Sequence, residues 1–540
     1  MALNFADLFE HAADAFGERT AVACGDRQVT YRELEERANR LAHHLAGLGV
    51  GPGDHVGLYA RNSVEAIETL LAACKLRAAA VNINYRYVEN ELQYMLADSD
   101  PVALVYDRRL APVVARAAQA APGLRGLVEI DDGTLPDAEG PDAASGTDYD
   151  TALAAASPER DFPARSADDV YIIYTGGTTG YPKGVMWRHE DIWRTLAGGI
   201  DFVTGEPTPD EWAQSRKGLD NGEFVKLCAA PLIHGNAQVA ALAGLFTGET
   251  IVMLPAFDAR EIWRAVQRHH VNVLVIIGDA MARPLVEAYA EGDYDVSSLV
   301  AMSSSAALFS PAVKDACAKA LPDVVITEAI GSTETGFAGI SFVSAGEPHR
   351  GGPTVTAGPD VIVLGDDGQP VAPGQVGRLA RGGHVPLGYY QDPVKTSAMF
   401  AEVGGKRYAI PGDMARVEED GTLTLLGRGN TCVNSGGEKV FPEEVEGALK
   451  SHPEVFDALV IGIPDNLLGQ RVAALVQARP GAEPDPAALQ EHVRGHLAGY
   501  KVPRTIWLSG EIRRTVSGKA DYGWAREYAA AHEPALDVHR

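Results

Sequence analysis

Polar and apolar residues alternate with a helical period early in the chain. Thr30 and Glu33 have the spacing of a helix-capping box, in which each side chain bonds the backbone of the other residue. Apolar residues then recur every three or four positions, at Leu34, Ala38, Leu41 and Leu45. This spacing places them on one face, so the pattern predicts an amphipathic helix that begins after Thr30.

Short apolar segments between helical ones indicate strands. Residues 55–59 are predicted as a strand and residues 63–76 as a second helix, with glycines and a proline before them. Residues 271–277 and 324–327 are rich in Val and Ile, which is typical of strands buried on both faces of a parallel sheet. Alternation of such strands with helices predicts a layered α/β architecture.

Polar stretches and a change of pattern divide the chain. Residues 131–169 are rich in Asp, Gly, Pro, Ala and Ser and are predicted to have little regular structure, and 206–222 is predicted as a surface loop. Beyond Gly421 the pattern predicts a short hairpin at 422–426 and a helix near 442–449. We therefore predict an α/β fold with a large N-terminal domain of layered α/β subdomains and a small α+β C-terminal domain.

Composition narrows the function. The 540 residues are 46% hydrophobic and 22% charged, and 47 Lys and Arg against 73 Asp and Glu give a formal charge of −26. Such an acidic chain repels nucleic-acid phosphates, so we expect no nucleic-acid partner. The five cysteines form no CxxC pair, and no apolar run approaches the roughly 20 residues of a membrane span. We expect a cytoplasmic protein without stable membrane insertion.

One segment carries a strong chemical signal. An apolar strand from Tyr171 leads into six consecutive Gly and Thr residues, which are Thr175, Gly176, Gly177, Thr178, Thr179 and Gly180. Lys183 follows them. Glycines let backbone N–H groups crowd around an anion, and the lysine adds a positive charge, so we predict a phosphate-binding loop. It is not a Walker loop, because Pro182 precedes the lysine. The alternative is a flexible surface turn.

The order of motifs resembles the adenylate-forming enzymes, which include acyl-CoA synthetases, peptide-synthetase adenylation domains and firefly-type luciferases. Besides the loop at 175–184, the resemblance rests on segments 231–235, 331–334, 408–413, 427–438 and 514–519. Three more segments, 183–191, 277–284 and 303–311, resemble a narrower branch. That branch comprises actinobacterial-type acyl-CoA synthetases acting on fatty acids and on carboxylated steroids or other isoprenoids.

The resemblance implies roles around ATP. In addition to the loop, the predicted ATP-binding residues are Ser305, Ala306, Ala307, Ile330, Gly331, Ser332, Thr333, Asp413 and Arg428. Thr333 would place its hydroxyl on the phosphate and Glu334 would hold Mg²⁺, which favours carboxylate oxygens. Lys519 would bridge the substrate carboxylate and the α-phosphate, where negative charge develops. Asp413 is suited to the ribose hydroxyls, and Arg428 is a forked donor to ribose or phosphate.

The resemblance also implies an acyl pocket, a CoA tunnel and a hinge. His234, a further catalytic candidate, would border the acyl pocket with Gly278, Asp279 and Gly336. The pantetheine tunnel would be lined by Ser435, Gly436, Gly437 and Glu438. Asn430 would be the pivot of a hinge at 428–432, between an N-terminal domain at 1–427 and a C-terminal domain at 433–540. Rotation there would withdraw Lys519 and admit CoA.

Simpler structural roles remain for single residues. Lys519 alone could be a solvated surface lysine, Asp413 a turn residue and Glu334 a carboxylate at a helix N-terminus. His234 could merely pack within a loop. Two positions depart from the wider family: Ile330 stands where many members have an aromatic residue that stacks on adenine, and Asn430 where Asp or Lys is usual.

These observations together predict an ATP-dependent acid–CoA ligase using ATP, Mg²⁺ and coenzyme A. In the amino-acid-activating members that the chain resembles, an Asp shortly after this segment pairs with the substrate's ammonium group. Residues 234–244 contain no carboxylate, so the resemblance disfavours amino acids. We expect a hydrophobic carboxylic acid, either a fatty acid or a bulky steroid or isoprenoid acid. The alternatives are an acyl-AMP ligase that loads a carrier protein, a luciferase-like oxidase and a non-catalytic nucleotide- or acyl-binding sensor. A homodimer is a further expectation from the resemblance.

Overall fold

The computed structural model describes residues 3–133, 146–175, 182–202, 204–307, 309–344, 352–435, 438–465, 468–514 and 520–538. The chain divides into two compact units. Unit 1 comprises Met1–Ile276, Ala288–Ser303 and His384–Phe400, and unit 2 comprises Ile277–Glu287, Ser304–Gly383 and Ala401–Arg540.

Helices occur throughout the described part of the chain. They are α1 Phe5–Phe16, α2 Tyr31–Gly47, α3 Val64–Lys75, α4 Glu89–Ser99, α5 Ala111–Ala117, α6 Tyr149–Ala154, α7 His189–Thr195, α8 Ala213–Asn221, α9 Gly235–Thr247, α10 Ala259–His269, α11 Gly278–Glu291, α12 Pro311–Ala320, α13 Pro393–Met399, α14 Pro442–Lys450, α15 Pro486–His496 and α16 Tyr522–Ala531.

Strands alternate with these helices. They are β1 Thr20–Cys24, β2 Arg27–Thr30, β3 His55–Tyr59, β4 Ala79–Asn82, β5 Pro101–Asp107, β6 Gly126–Ile130, β7 Thr147–Asp148, β8 Val170–Thr175, β9 Lys183–Arg188, β10 Val225–Cys228, β11 Thr250–Met253, β12 Val273–Ile276, β13 Ala301–Ser304, β14 Val325–Ser332, β15 Gly336–Val343, β16 Thr354–Ala357, β17 Val361–Leu364, β18 Val376–Arg381, β19 Gly388–Tyr389, β20 Phe400–Val403, β21 Lys406–Ala409, β22 Asp413–Val417, β23 Leu423–Arg428, β24 Val433–Ser435, β25 Glu438–Val440, β26 Val455–Asp465, β27 Gly469–Ala478, β28 Thr505–Ser509 and β29 Leu536–Asp537.

Parallel strands dominate unit 1. One sheet has the order β4-β3-β5-β6-β7, and a second region pairs β1 with β11, β11 with β10 and β10 with β12, all in parallel. A third, smaller sheet has the order β19-β9-β8 and is antiparallel. An apolar core that includes Tyr59, Leu104, Tyr106 and Tyr174 joins the first sheet to β8. This core fixes the strand that leads into the predicted phosphate loop.

Unit 2 contains antiparallel sheet and the C-terminal elements. Its strands follow the order β14-β15-β16-β23-β22-β18-β21-β20, and β17 pairs with β18. The C-terminal sheet has the order β25-β24-β27-β28-β29, with β26 also on β27. Helix α14 packs on this sheet through Val445 and Leu449, which are fully buried. The two sheets carry the predicted ribose site and the predicted hinge region.

The predicted fold class is confirmed, and several elements match closely. Thr30 caps α2 in a full capping box, strand β3 spans the predicted 55–59, and Ser63 caps α3. The apolar run at 271–277 contains the parallel strand β12. Within the part of the chain that the structure describes, no helix is long and apolar enough to cross a bilayer.

Two predictions of irregular structure are wrong in part. Residues 131–169 contain β7 and α6, because Asp148 caps α6 and the buried Tyr149 hydroxyl donates to Glu68 at 2.7 Å. Residues 206–222 contain α8, where the buried Gln214 accepts from the Trp193 indole at 2.6 Å. Both elements depend on contacts with distant residues, which a local polar pattern does not reveal.

Candidate active site

A buried asparagine fixes the entry of the predicted phosphate loop. Asn82 ends β4 and is only 4% exposed. Its Nδ2 donates to the carbonyls of Tyr174 at 2.9 Å and Ile233 at 2.6 Å, and its Oδ1 accepts from the Tyr174 N–H at 2.8 Å. One side chain therefore satisfies three backbone groups and joins the strand before the loop to the segment before His234. Sequence reasoning missed it; the polar residue within the apolar run at 78–83 was the available signal.

Lys183 stands at the exit of the loop, where its side chain is paired with carboxylates. It begins β9 opposite Thr175, the last residue of β8. Its Nζ donates to Asp98 Oδ1 at 3.2 Å and lies 3.9 Å from Asp392 Oδ2. Burial lowers the pKa of Lys183, but hydrogen bonds with Asp98 and Tyr94 outweigh this effect and leave the pKa raised. The lysine is thus held as a cation.

The His234 segment is held by two further buried amides. His234 is the N-terminal cap of α9. Asn62 Oδ1 accepts from the Leu232 N–H at 2.7 Å, and Gln238 Nε2 donates to the Leu232 carbonyl at 2.7 Å. The Tyr171 hydroxyl donates to Gln238 Oε1 at 2.7 Å, which fixes that amide in turn. The predicted acyl-pocket histidine therefore sits on a rigidly held backbone.

The predicted Mg²⁺ and phosphate segment forms a tight turn between β14 and β15. The Ser332 N–H donates to Thr335 Oγ1 at 3.0 Å, and the Thr335 N–H donates to Ser332 Oγ at 3.2 Å. Gly336 has a φ of 66°, and a Cβ at Gly331 would meet the Gly336 carbonyl oxygen, so the turn requires glycine at both positions. Glu334, in this turn, is 8% exposed.

Glu334 and Thr333 carry two donor types that a hard cation accepts, a carboxylate and a hydroxyl. Among the described residues, no cluster of three or more His, Cys, Asp or Glu side chains forms a protein-only metal site. Mg²⁺ commonly uses one or two carboxylates and completes its coordination with phosphate oxygens and water. Glu334 would then supply the carboxylate, and Thr333 next to it a hydroxyl.

The predicted segment at 305–307 and the start of α11 lie in unit 2. Ala306 has a left-handed φ of 65°, uncommon for a residue with a Cβ, and the Ala307 N–H donates to the Ser305 carbonyl at 2.9 Å. Asp279 Oδ1 accepts from the N–H of Ser310 at 2.7 Å, at the start of α12. The Asp279 Oδ2 is buried and lacks a hydrogen-bond partner among the described residues.

A hydrogen bond links the start of α11 to the end of β13, and Ile330 packs nearby along the chain in β14. The Gly278 N–H donates to Ser304 Oγ at 3.0 Å, and the φ of Gly278 is 48°. Ile330 is 7% exposed and belongs to an apolar cluster with Ala338 and Val355. Its side chain packs in the core of the antiparallel sheet.

The predicted ribose and hinge residues are neighbours in sequence and sheet. Asp413 begins β22 and pairs through its backbone with Arg428 at the end of β23. Asn430 lies in a short 3₁₀ turn, Gly429–Thr431, tied back by the Gly429 N–H to the Gly412 carbonyl at 2.9 Å. Ser435 is buried at the end of β24 and pairs with the exposed Glu438.

Several predicted residues fall outside the described part of the chain. They are Gly176, Gly177, Thr178, Thr179, Gly180, Gly436, Gly437 and Lys519, and the side chains of Arg428 and Asn430 are likewise not described. Their roles therefore stay predictions. So do the domain boundary and the hinge, because unit 2 contains residues from both sides of the predicted boundary.

Sequence reasoning did not foresee a carboxyl group with a buried oxygen beside the predicted hinge. Glu443, in the first turn of α14, packs against Gly427, whose φ is 100°. Its Oε2 is buried without a hydrogen-bond partner among the described residues. Burial, followed by the nearby charges of Glu446 and Asp413, raises the pKa of Glu443 to about 8.

The pKa of the Asp457 carboxylate is shifted in the opposite direction, because this group is paired with cations. Arg514 donates to both of its oxygens, at 2.6 and 2.7 Å, and Lys450 Nζ lies 3.3 Å away. Burial alone would raise the pKa of Asp457, but Lys450 and Arg514 lower it to about 2. The pair is held just before segment 515–519, which contains the predicted catalytic lysine.

Known proteins resemble this chain along its full length. It is 53% identical to a 3-oxocholest-4-en-26-oate–CoA ligase of Rhodococcus rhodochrous, over 100% of this chain and 98% of that protein. It is also 53% identical to a medium/long-chain-fatty-acid–CoA/3-oxocholest-4-en-26-oate–CoA ligase of Mycobacterium tuberculosis, again over 100% of this chain and 98% of that protein. The structure of ATP-bound MatB from Rhodopseudomonas palustris matches with a TM-score of 0.81 and 26% identity, over 97% of this chain and 98% of that one.

Two family models together match most of the chain. The model described as AMP-binding enzyme covers residues 9–390, and the model described as AMP-binding enzyme C-terminal domain covers 444–519. The ordered motifs, the fold and these matches agree: the chain belongs to the AMP-binding enzyme family.

Proposed function

We propose that this protein is an ATP-dependent acid–CoA ligase for a hydrophobic carboxylic acid. The carboxylate attacks the α-phosphorus of ATP, giving an acyl-adenylate and pyrophosphate. The CoA thiol then attacks the acyl carbon, giving the thioester and AMP. The observation that carries the proposal is the 53% identity, over the whole chain, to relatives named as CoA ligases of steroid and fatty acids.

The chain's own residues suit the first half-reaction. Lys519 would stabilise the charge that develops as the carboxylate approaches the phosphate. Mg²⁺, when bound, would shield the phosphates, with Glu334 as its carboxylate ligand. Asp413 would accept hydrogen bonds from the ribose hydroxyls. The fixed backbone before His234 favours a pocket of defined shape for the acid.

The second half-reaction would need the C-terminal region to move. We propose that rotation about Asn430 withdraws Lys519 and brings Ser435, the following glycines and Glu438 to the pantetheine arm. Such a movement lets one site run two reactions in turn. A homodimer and a cytoplasmic location belong to the same proposal; light scattering would test the first as twice the 57.3 kDa chain mass.

Pyrophosphate release from Mg·ATP tests the function directly. The panel should span short, medium and long fatty acids, aromatic acids, and steroid and diterpene acids, each with and without CoA. Sustained release that requires CoA and prefers one hydrophobic class is the expected result. A single-turnover burst that CoA does not extend would favour an acyl-AMP ligase that loads a carrier protein. No release with any acid would favour the sensor alternative and contradict the proposal.

Replacing Lys519 with Ala should separate the two half-reactions. We expect adenylation to fall by roughly 100-fold or more, because the cation that stabilises the transition state is lost. Thioester formation from supplied acyl-AMP should persist within a few fold. Equal loss of both activities would contradict the division of labour between the two states.

A further inference from the structure

One carboxylate links both ends of the predicted phosphate loop. Asp98, near the end of α4, is largely buried, with 16% of its side chain exposed. Its Oδ2 accepts from the Tyr174 hydroxyl at 3.0 Å, one residue before the loop begins. Its Oδ1 accepts from Lys183 Nζ at 3.2 Å, just after the loop ends. The carboxylate therefore spans the entry and the exit with one oxygen each.

A second phenol reinforces the exit. The Tyr94 hydroxyl lies 3.0 Å from Asp98 Oδ1 and 2.8 Å from the Pro182 carbonyl. Tyr94 precedes Asp98 by four residues, so both side chains project from the same face of α4. The helix thus contacts the backbone of the loop exit as well as its lysine.

The protonation states of Tyr174 and Lys183 suit their bonds to the Asp98 carboxylate. Burial, followed by the charge of Asp98, raises the pKa of Tyr174, so its hydroxyl stays protonated and donates to the carboxylate. Lys183 remains a cation, because the carboxylate and phenol offset the cost of burial. An ammonium group has three donors, so Lys183 can keep its bond to Asp98 while it donates another to a phosphate.

We propose that Asp98 is a positioning residue for adenylation: it holds Lys183 and Tyr174 together, so that the phosphates of ATP meet an ammonium group that is already oriented. The inference rests on the proposed function and adds to it a residue outside the family motifs. A long lysine side chain loses considerable freedom when it is held, and Asp98 would remove that cost before ATP binds.

Asp392 provides a matched control. Its carboxylate lies 3.9 Å from Lys183 Nζ, beyond hydrogen-bond distance, and it caps α13 by accepting from the Lys395 N–H at 3.0 Å. Asp392→Asn removes the same charge as Asp98→Asn but keeps that cap. If only net charge near Lys183 mattered, the two substitutions would have similar effects.

The test compares Asp98→Asn, Asp392→Asn and Tyr174→Phe by steady-state pyrophosphate release. For Asp98→Asn we expect KM for ATP to rise roughly tenfold, with KM for the acid and for CoA within twofold of wild type. Tyr174→Phe, which keeps the buried ring, should raise KM for ATP about threefold, and Asp392→Asn should change it less than twofold. A lower KM for ATP in Asp98→Asn would overturn the proposal, because Asp98 would then compete with phosphate.

A double-mutant cycle with Lys183→Gln distinguishes positioning from a merely structural role. If Asp98 acts mainly through Lys183, Asp98→Asn should change KM for ATP less than threefold in the Lys183→Gln background. A full tenfold effect in that background would overturn the proposal. Calorimetric binding of Mg·ATP gives the same comparison without turnover. Wild-type binding without pyrophosphate release would refute the ligase function alone, whereas unchanged binding by Asp98→Asn would refute only the positioning role.

Discussion

The two regions that border the predicted chemistry treat a buried carboxylate in opposite ways. In unit 1, Asp98 receives hydrogen bonds from Tyr174 and Lys183, which stand on either side of the predicted phosphate loop. In unit 2, Glu443 lies beside Gly427 and has one buried oxygen that lacks a hydrogen-bond partner among the described residues. The first arrangement suits a segment that must stay in place. In the second arrangement, burial favours the protonated, uncharged carboxyl next to the predicted hinge.

Replacing Asn82 in unit 1 should have the largest effect on stability. Asn82→Ala leaves three buried backbone groups unpaired, at Tyr174 and Ile233, so we expect a loss of about 3 kcal/mol in unfolding free energy. Urea denaturation would measure it. Asn84→Ala is the control: the Asn84 side chain accepts from the Arg86 N–H two residues away, and its loss should cost less than about 1 kcal/mol. Equal losses would contradict the bridging role of Asn82.

Asn430→Pro tests whether the hinge region moves. Proline fixes φ near −65° and should trap one state, so overall turnover should fall roughly 100-fold while one half-reaction survives. Single-turnover assays of adenylation and of thioester formation from acyl-AMP would reveal which. Asn430→Gly keeps the backbone free and should retain turnover within a few fold. Unchanged turnover in the proline variant would place the hinge elsewhere.

Glu443 should make stability depend on pH. Its pKa is raised from an ordinary value near 4.5 to about 8, by burial first and by Glu446 and Asp413 next. The folded state therefore holds a proton that the unfolded state releases. Its contribution is complete below the unfolded pKa and is lost as pH rises through about 8.

Urea unfolding at pH 6 and pH 9 would detect this loss, which we expect to be roughly 2 kcal/mol in the wild-type protein. Glu443→Gln mimics the protonated acid and should remove most of the difference. The control, Glu491→Gln on α15, should keep the difference, because that side chain is 75% exposed. The same fall in stability in Glu443→Gln as in wild type would refute the assignment.

Sequence periodicity predicted the elements whose stability is local. The capping box at Thr30 predicted the start of α2, and the second helix was predicted at 63–76 and observed at 64–75, with Ser63 as its cap. Such signals are readable in sequence because a cap satisfies backbone groups within one turn. The sequence pattern did not predict α6 and α8, which depend on side-chain hydrogen bonds from Tyr149 to Glu68 and from Trp193 to Gln214. A polar segment that is ordered by distant partners has the same local pattern as a loop.

The candidate site divides in the same manner. The chemical groups follow a linear order that the sequence displays, from the Gly/Thr loop and Lys183 through Glu334 and Asp413 to Lys519. That order was enough to identify the family and to predict the reaction. It is enough because a phosphate loop needs its glycines, hydroxyls and lysine close together along the chain.

The tertiary structure alone decided which residues hold these groups and at what electrostatic cost. Asp98 and Lys183 are 85 positions apart, and Asn82 and Ile233 are 151 apart. No local pattern marks such pairs, since an aspartate on a helix is ordinary until the fold surrounds it with a lysine and two phenols. The pKa values of Glu443 and Asp457 likewise shift in opposite directions, because only the folded chain determines which carboxylate lies beside cations.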